Sequence, residues 1–290
     1  MKDKQIQTKI LGKVFKLNSS VIKFKPMLIT LAIFASMVAK AQNIQGFAIY
    51  KSQTKVDLNM PDSKMDDAIK KSLAEQLQKQ MQKDFTLKFN QKESIFTENQ
   101  KLAQPNVKPS KGITITVQQS QGELYKNLAK RRYTNQDELF GKRFLIKDSL
   151  KTSKWNLGKE TKKIGNYTCY KATVTKKFTS EEWSSENDSL IKTKGERIVT
   201  AWYTPQIPIS NGPAEYWGLP GLILEVQNGK TTLLCSSITL NPTEKIVIEE
   251  PKKGKKVNQI EFDKIQKERM DEMRARSDNG KGLFITKTGG

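Results

Sequence analysis

Ala201-Trp202-Tyr203-Thr204-Pro205-Gln206-Ile207-Pro208-Ile209-Ser210-Asn211-Gly212-Pro213-Ala214-Glu215-Tyr216-Trp217-Gly218-Leu219-Pro220-Gly221-Leu222-Ile223-Leu224-Glu225-Val226 carries the reading of the fold. Proline fixes φ near the value needed at the second position of a type II turn, and glycine takes the positive φ needed at the third, so Pro220-Gly221 predicts a tight corner. The corner delivers residues 222–226 straight into a strand, and their apolar density predicts cover on both faces. Upstream, Asn211-Gly212-Pro213 predicts another turn, while Pro205 and Pro208 withhold backbone donors from a sheet neighbour. The stretch between the strands is thus a stiff loop bearing Trp202, Tyr203, Tyr216 and Trp217. Such a loop either presents its aromatic rings to a ligand or packs them over the end of the sheet as a seal.

Working outward from this block, most of the chain alternates with a period of two residues. Strands are expected at 46–58, 85–89, 94–97, 113–118, 123–128, 143–147, 155–162, 167–176, 197–203 and 231–237. Short strands at intervals of roughly ten residues favour an antiparallel meander, because parallel crossovers would need a helix between each pair. Two stretches switch to the helical period. Met65, Ile69, Leu73, Leu77 and Met81 recur every four residues and predict one helix over 64–83 with an apolar stripe. Asn258 opens a second, with Phe262, Ile265, Met270 and Met273 on a narrower side, expected to be peripheral. The polar residues 179–195 read as a long hairpin tip. The fold class is α+β: a large curved antiparallel sheet packed on one long helix, with a peripheral C-terminal helix.

Residues 1–25 hold seven lysines, an apolar run covers 27–38, and Ala39-Lys40-Ala41 supplies small residues for a peptidase, which together describe a secretory signal peptide over 1–41. That run is too short for a bilayer, which takes about 20 apolar residues, so no transmembrane span is expected once the signal is cleaved. Residues 42–276 then form a single α+β domain, and 277–290 a flexible tail. The expected location is outside the cytosol, in the periplasm, at the outer membrane or secreted.

The 290 residues contain 51 Lys plus Arg, 30 Asp plus Glu, no His and two Cys. Without histidine there is no Ser-His-Asp or Cys-His machine and no ordinary structural zinc site, so neither metal nor cofactor is expected. Loss of residues 1–41 lowers the net charge from +21 to about +14, a field that attracts anionic surfaces. Export and the absence of interleaved aromatic platforms argue against a nucleic-acid partner. Cys169 and Cys235 both sit in alternating runs. In an oxidising compartment they suggest one disulfide worth about 4 kcal/mol, with two separately buried thiols as the alternative.

Residues 218–223, in their proline-rich aromatic setting, resemble the signature of the GLPGLI family, exported proteins of Gram-negative bacteria. The strand 163–172 and the Trp202-Tyr203 strand extend the resemblance. It implies an envelope protein of unassigned function, with no catalytic residues to carry over. The expected topology is similar to the half-barrel of lipoprotein carriers, an analogy of fold alone. Asp148-Ser149-Leu150 and Asp188-Ser189-Leu190 also resemble a short O-glycosylation signal of such bacteria. The expected function is a non-enzymatic module that binds or carries an apolar ligand or engages an envelope partner. The alternatives are a glycan hydrolase using Glu215 and Glu225 as its two carboxylates, and a structural or assembly module.

Overall fold

In a computed structural model, the described residues are 44–55, 71, 75, 78–79, 81–99, 122–184 and 189–277. Contacts divide the chain between Ile44 and Gln45, and the architecture below is that of the second unit. The proposed signal peptide, the strand expected at 113–118, the tail expected at 277–290 apart from Ser277, which ends the last helix, and the apolar stripe from Met65 to Leu77 lie outside the described residues. Of the helix expected over 64–83, Lys71, Glu75, Gln78 and Lys79 are helical.

The fold is a large open sheet with one complete helix among the described residues. The strands are β1 (Gly46–Thr54), β2 (Lys83–Phe89), β3 (Glu93–Glu98), β4 (Glu123–Asn127), β5 (Arg132–Leu139), β6 (Lys142–Ser149), β7 (Asn156–Ile164), β8 (Tyr167–Ser184), β9 (Ser189–Thr204), β10 (Leu222–Asn228), β11 (Thr231–Leu240) and β12 (Lys255–Val257). They form one sheet in the order β12-β6-β5-β4-β3-β2-β1-β11-β10-β9-β8-β7, antiparallel throughout except for β12 beside β6. The chain meanders from β1 to β6, jumps to the far edge at β7, and meanders back until β11 closes against β1.

That jump dictates curvature. Ten interstrand steps separate β6 from β7, about 48 Å in a flat sheet. Residues 150–155 join them, and a fully extended connection of that length reaches only about 25 Å. The sheet therefore curls until its two ends approach.

Apolar side chains line the inside of the curl. Tyr50, Phe85, Leu87, Phe89 and Phe96 are buried on β1 to β3, with Phe85 stacked on Phe96 at 4.9 Å between ring centroids. Ala172, Val174, Val199, Ala201 and Tyr203 of β8 and β9 pack with Tyr216 and Leu219 of the 205–221 loop. All of residues 222–226 are buried, so β10 is covered on both faces as its composition predicts.

The helix α1 (Gln259–Ser277) begins with reciprocal capping: the Glu261 amide donates to Asn258 Oδ1 at 2.8 Å, and the Asn258 amide donates to Glu261 Oε2 at 2.9 Å. It is anchored mainly through Phe262, edge-on to Phe144 of β6 at 5.4 Å. Before it, residues 241–254 return across the sheet and are pinned by Glu250. This carboxylate accepts two hydrogen bonds from Arg132 of β5, at 2.8 and 2.6 Å, and others from Thr134 and Lys147. The Arg132 guanidinium and the other donors hold the Glu250 carboxyl well below the usual carboxylate range.

Candidate functional site

The loop at 205–221 folds onto the inner face of the sheet, and its backbone explains the 218–223 motif residue by residue. Gly218 has φ +93°, open to glycine and strained for other residues. Leu219 is buried against β8 and β9. The Gly221 amide donates to the Leu219 carbonyl at 2.8 Å, closing a three-residue turn centred on Pro220. This γ-turn replaces the expected type II turn; the fixed φ of proline suits either, and Gly221 takes φ +158° instead of the value near +80° that type II requires. At Gly221 a Cβ would lie 2.2 Å from the carbonyl oxygen of Thr204, so glycine is required by the approach of two backbones. Leu222 and Ile223 enter β10 fully buried. Two further three-residue turns precede the motif, from Ile209 to Ile207 and from Asn211 to Ile209. The turn expected at Asn211-Gly212-Pro213 lies slightly later, closed by the Tyr216 amide on the Pro213 carbonyl at 3.1 Å.

Three of the four aromatic candidates are buried: Tyr203, Tyr216 and Trp217. The Trp217 indole donates to the Lys151 carbonyl, and the Trp155 indole donates to the Trp217 carbonyl, both at 2.9 Å. These bonds tie the connector between the sheet ends to the loop. Tyr216 lies under the Lys176 ammonium, 4.7 Å from the ring centroid, and burial pushes its phenol up. Trp202 is partly buried on β9 beneath Lys162 at 4.4 Å.

Lys126 of β4 is the buried charged group that sequence reasoning missed. It is fully buried and donates to the carbonyls of Gly212, Ala214 and Tyr216 at 2.7, 2.8 and 3.3 Å. Burial pulls its ammonium down to about 7, opposed by the charge of Glu215. Its signal was a lysine in phase with Leu124 and Leu128 along an alternating strand. One residue before Gly212, Asn211 is buried, and its side-chain amide nitrogen has no hydrogen-bond partner among the described residues. Tyr50 completes the inner network, donating to the Ile223 carbonyl at 2.6 Å.

The two candidate carboxylates each have their own cation. Glu215 pairs with Lys176 at 3.0 Å, and the buried Glu225 pairs with Lys162 at 2.6 Å while accepting from the Gln227 amide at 3.0 Å. Cys169 and Cys235 are buried free thiols, the second of the two readings the sequence allowed, and no disulfide joins them. Two strands separate β8 from β11, about 14 Å of sheet, whereas a bridge needs Cα atoms within about 7 Å. Burial pushes the thiols up to about 11 and about 12, respectively. Among the described residues no group of three or more acidic or thiol side chains is placed to hold a metal, and no helix is long and apolar enough to cross a membrane. An open cleft of about 420 Å³ borders the loop, lined by Arg131, Leu128, Pro208, Ile209 and Trp217 among others.

Two solved structures of PNGF-II, in C2 and P21 space groups, are similar to this chain at 13% identity with TM-scores of 0.46 and 0.44. Each match covers 77% of this chain, which spans about a third of the solved chains. No curated protein matches. Residues 155–225, which include β7 to β9, the loop and the 218–223 motif, match a family described as a protein of unknown function (Porph_ging), a description that does not carry the name suggested by the motif.

Proposed function

We propose that this chain is an exported cell-envelope protein that works by binding, with its sheet as a half-barrel frame and the 205–221 loop as a fixed plug. The observation that supports this reading is that the side chains a reaction or a lipid-filled cavity would use are already engaged. Tyr203, Tyr216 and Trp217 are buried in the seal, Glu215 and Glu225 are each neutralised by a lysine, and Lys126 is held by three loop carbonyls. Of the two binding roles, the occupied inner face favours an envelope partner met on the outer surface over an apolar cargo held inside. The positive charge of the chain suits an anionic partner surface.

Native mass spectrometry and solvent extraction of protein purified from envelope fractions test this. The expected result is a mass free of lipid, together with a partner retained at low salt and released as salt screens the contact. A stoichiometric lipid would replace the partner with a cargo. Glycan hydrolysis lost in both Glu215→Gln and Glu225→Gln would make the protein an enzyme.

A further inference from the structure

β8 and β9 are far longer than the strands beside them. β7 pairs with β8 only as far as Thr173, and β10 pairs with β9 only as far as Val199. Beyond those points β8 and β9 continue together, through Lys177↔Glu196 and Glu181↔Lys192 to Ser184↔Ser189, as a two-stranded ribbon. Such a ribbon is marginal in isolation, and each outer edge presents unpaired backbone donors and acceptors. Among the described residues no strand covers the β8 edge over 174–184.

We propose that this edge pairs with the same edge of a second copy of the chain, antiparallel, joining two ribbons into a four-stranded sheet. Three observations converge on one register. A twofold axis normal to a sheet keeps each residue on the same face in both copies, so the residue on the axis must oppose itself; the sum of paired residue numbers is therefore even. The sequence of the edge is Lys176-Lys177-Phe178-Thr179-Ser180-Glu181-Glu182. With Thr179 on the axis, position 177 (Lys177) opposes Glu181 and Lys176 opposes Glu182, twice each by symmetry. Moving the axis to residue 178 or 180 breaks both pairings. Thr179 is also the midpoint of the uncovered edge 174–184, so the register that matches charges uses the edge to its full length and stops where β7 begins. Lys176 already pairs with Glu215 within the chain at 3.0 Å, whereas Lys177 is 87% exposed and lies 3.9 Å from Glu196. The Lys177 and Glu181 pairs therefore carry most of the selectivity. The β9 edge is less well matched: an axis at Lys194 sets Lys192 against Glu196 but also places Lys194 against itself, and it supplies no second pair of opposite charges.

Sedimentation equilibrium of the purified protein across a concentration series tests the pairing. Wild type is expected to dimerise. Lys177→Glu and Glu181→Lys should each weaken the dimer about tenfold, because each turns two attractive cross-strand pairs into repulsive ones. The double swap should restore it. Within one chain the swap sets a glutamate at position 177 against Glu196 and a lysine at position 181 against Lys192, so damage to the ribbon itself would be worst in the double variant. Restoration therefore reports contact between copies. Under mild oxidation Thr179→Cys should link two chains and Lys194→Cys should not. A wild-type monomer at every concentration, or a double variant weaker than either single one, overturns the proposal.

Discussion

A methyl group at position 221 would sit 2.2 Å from the Thr204 carbonyl oxygen, where both atoms belong to backbone and neither can swing aside. Gly221→Ala should cost about 3 kcal/mol in denaturant titrations, within the range of severe single substitutions. Gly165→Ala is the contrasting case. Gly165 has φ +55° with nothing within 4 Å of an added methyl, so it should lose only about 1 kcal/mol from backbone strain. Lys126→Met takes the ammonium donor from two buried carbonyls and one part-buried one, and a loss of about 3 kcal/mol is expected, together with faster hydrogen exchange through 212–216. The two thiols should resist a thiol reagent in native protein and both react once it is unfolded. A mass showing an intact Cys169 to Cys235 bridge would contradict the placement of their strands.

The elements differ in how plainly the sequence announces them. β1 to β4, β6, β7, β10 and β11 alternate or run apolar, and their expected positions match the observed ones within a few residues, whereas β8 and β9 run on to Ser184 and back from Ser189 through polar residues read as a hairpin tip. β5 escaped notice because Arg132–Leu139 has little apolar alternation. Its register depends on neighbours, with Thr134 buried beneath the Glu250 cluster. β12 is three residues long and exists through its pairing with β6. The bend at Pro220-Gly221 was legible, but its γ-turn form depends on how close Thr204 lies, which a local reading does not contain. Lys126 was hidden for a related reason: its acceptors lie in a loop distant along the chain. The return segment at 241–254 offers a test by pH. The Glu250 carboxyl is depressed in the folded state, so its stabilisation is full above the ordinary carboxylate value of about 4.3 and is lost as pH falls through the folded value. Glu250→Gln should therefore melt lower than wild type at pH 7, with the gap closing progressively below pH of about 4.3 in parallel melts.

At the scale of the whole molecule, the curl rests on the clasp between the connector and the loop. Trp155→Phe removes one indole donor and keeps an aromatic ring, so a loss of about 1 kcal/mol is expected, seen as increased exchange in both 150–155 and 216–218 while β1 to β3 stay protected. Sheet seams have a consequence for timing. β1, near the start of the second unit, is central to the sheet, and it meets β11 only after nearly all the intervening chain exists; the Gln45 amide donates to Asn241 across 196 positions. Contacts so distant in sequence slow the search for the native state. A chain emerging from the ribosome can assemble the β1 to β6 meander early, but it must wait for residue 240 before its central seam can zip. A polypeptide built in this way leaves both halves of its sheet unjoined until β11 has been made.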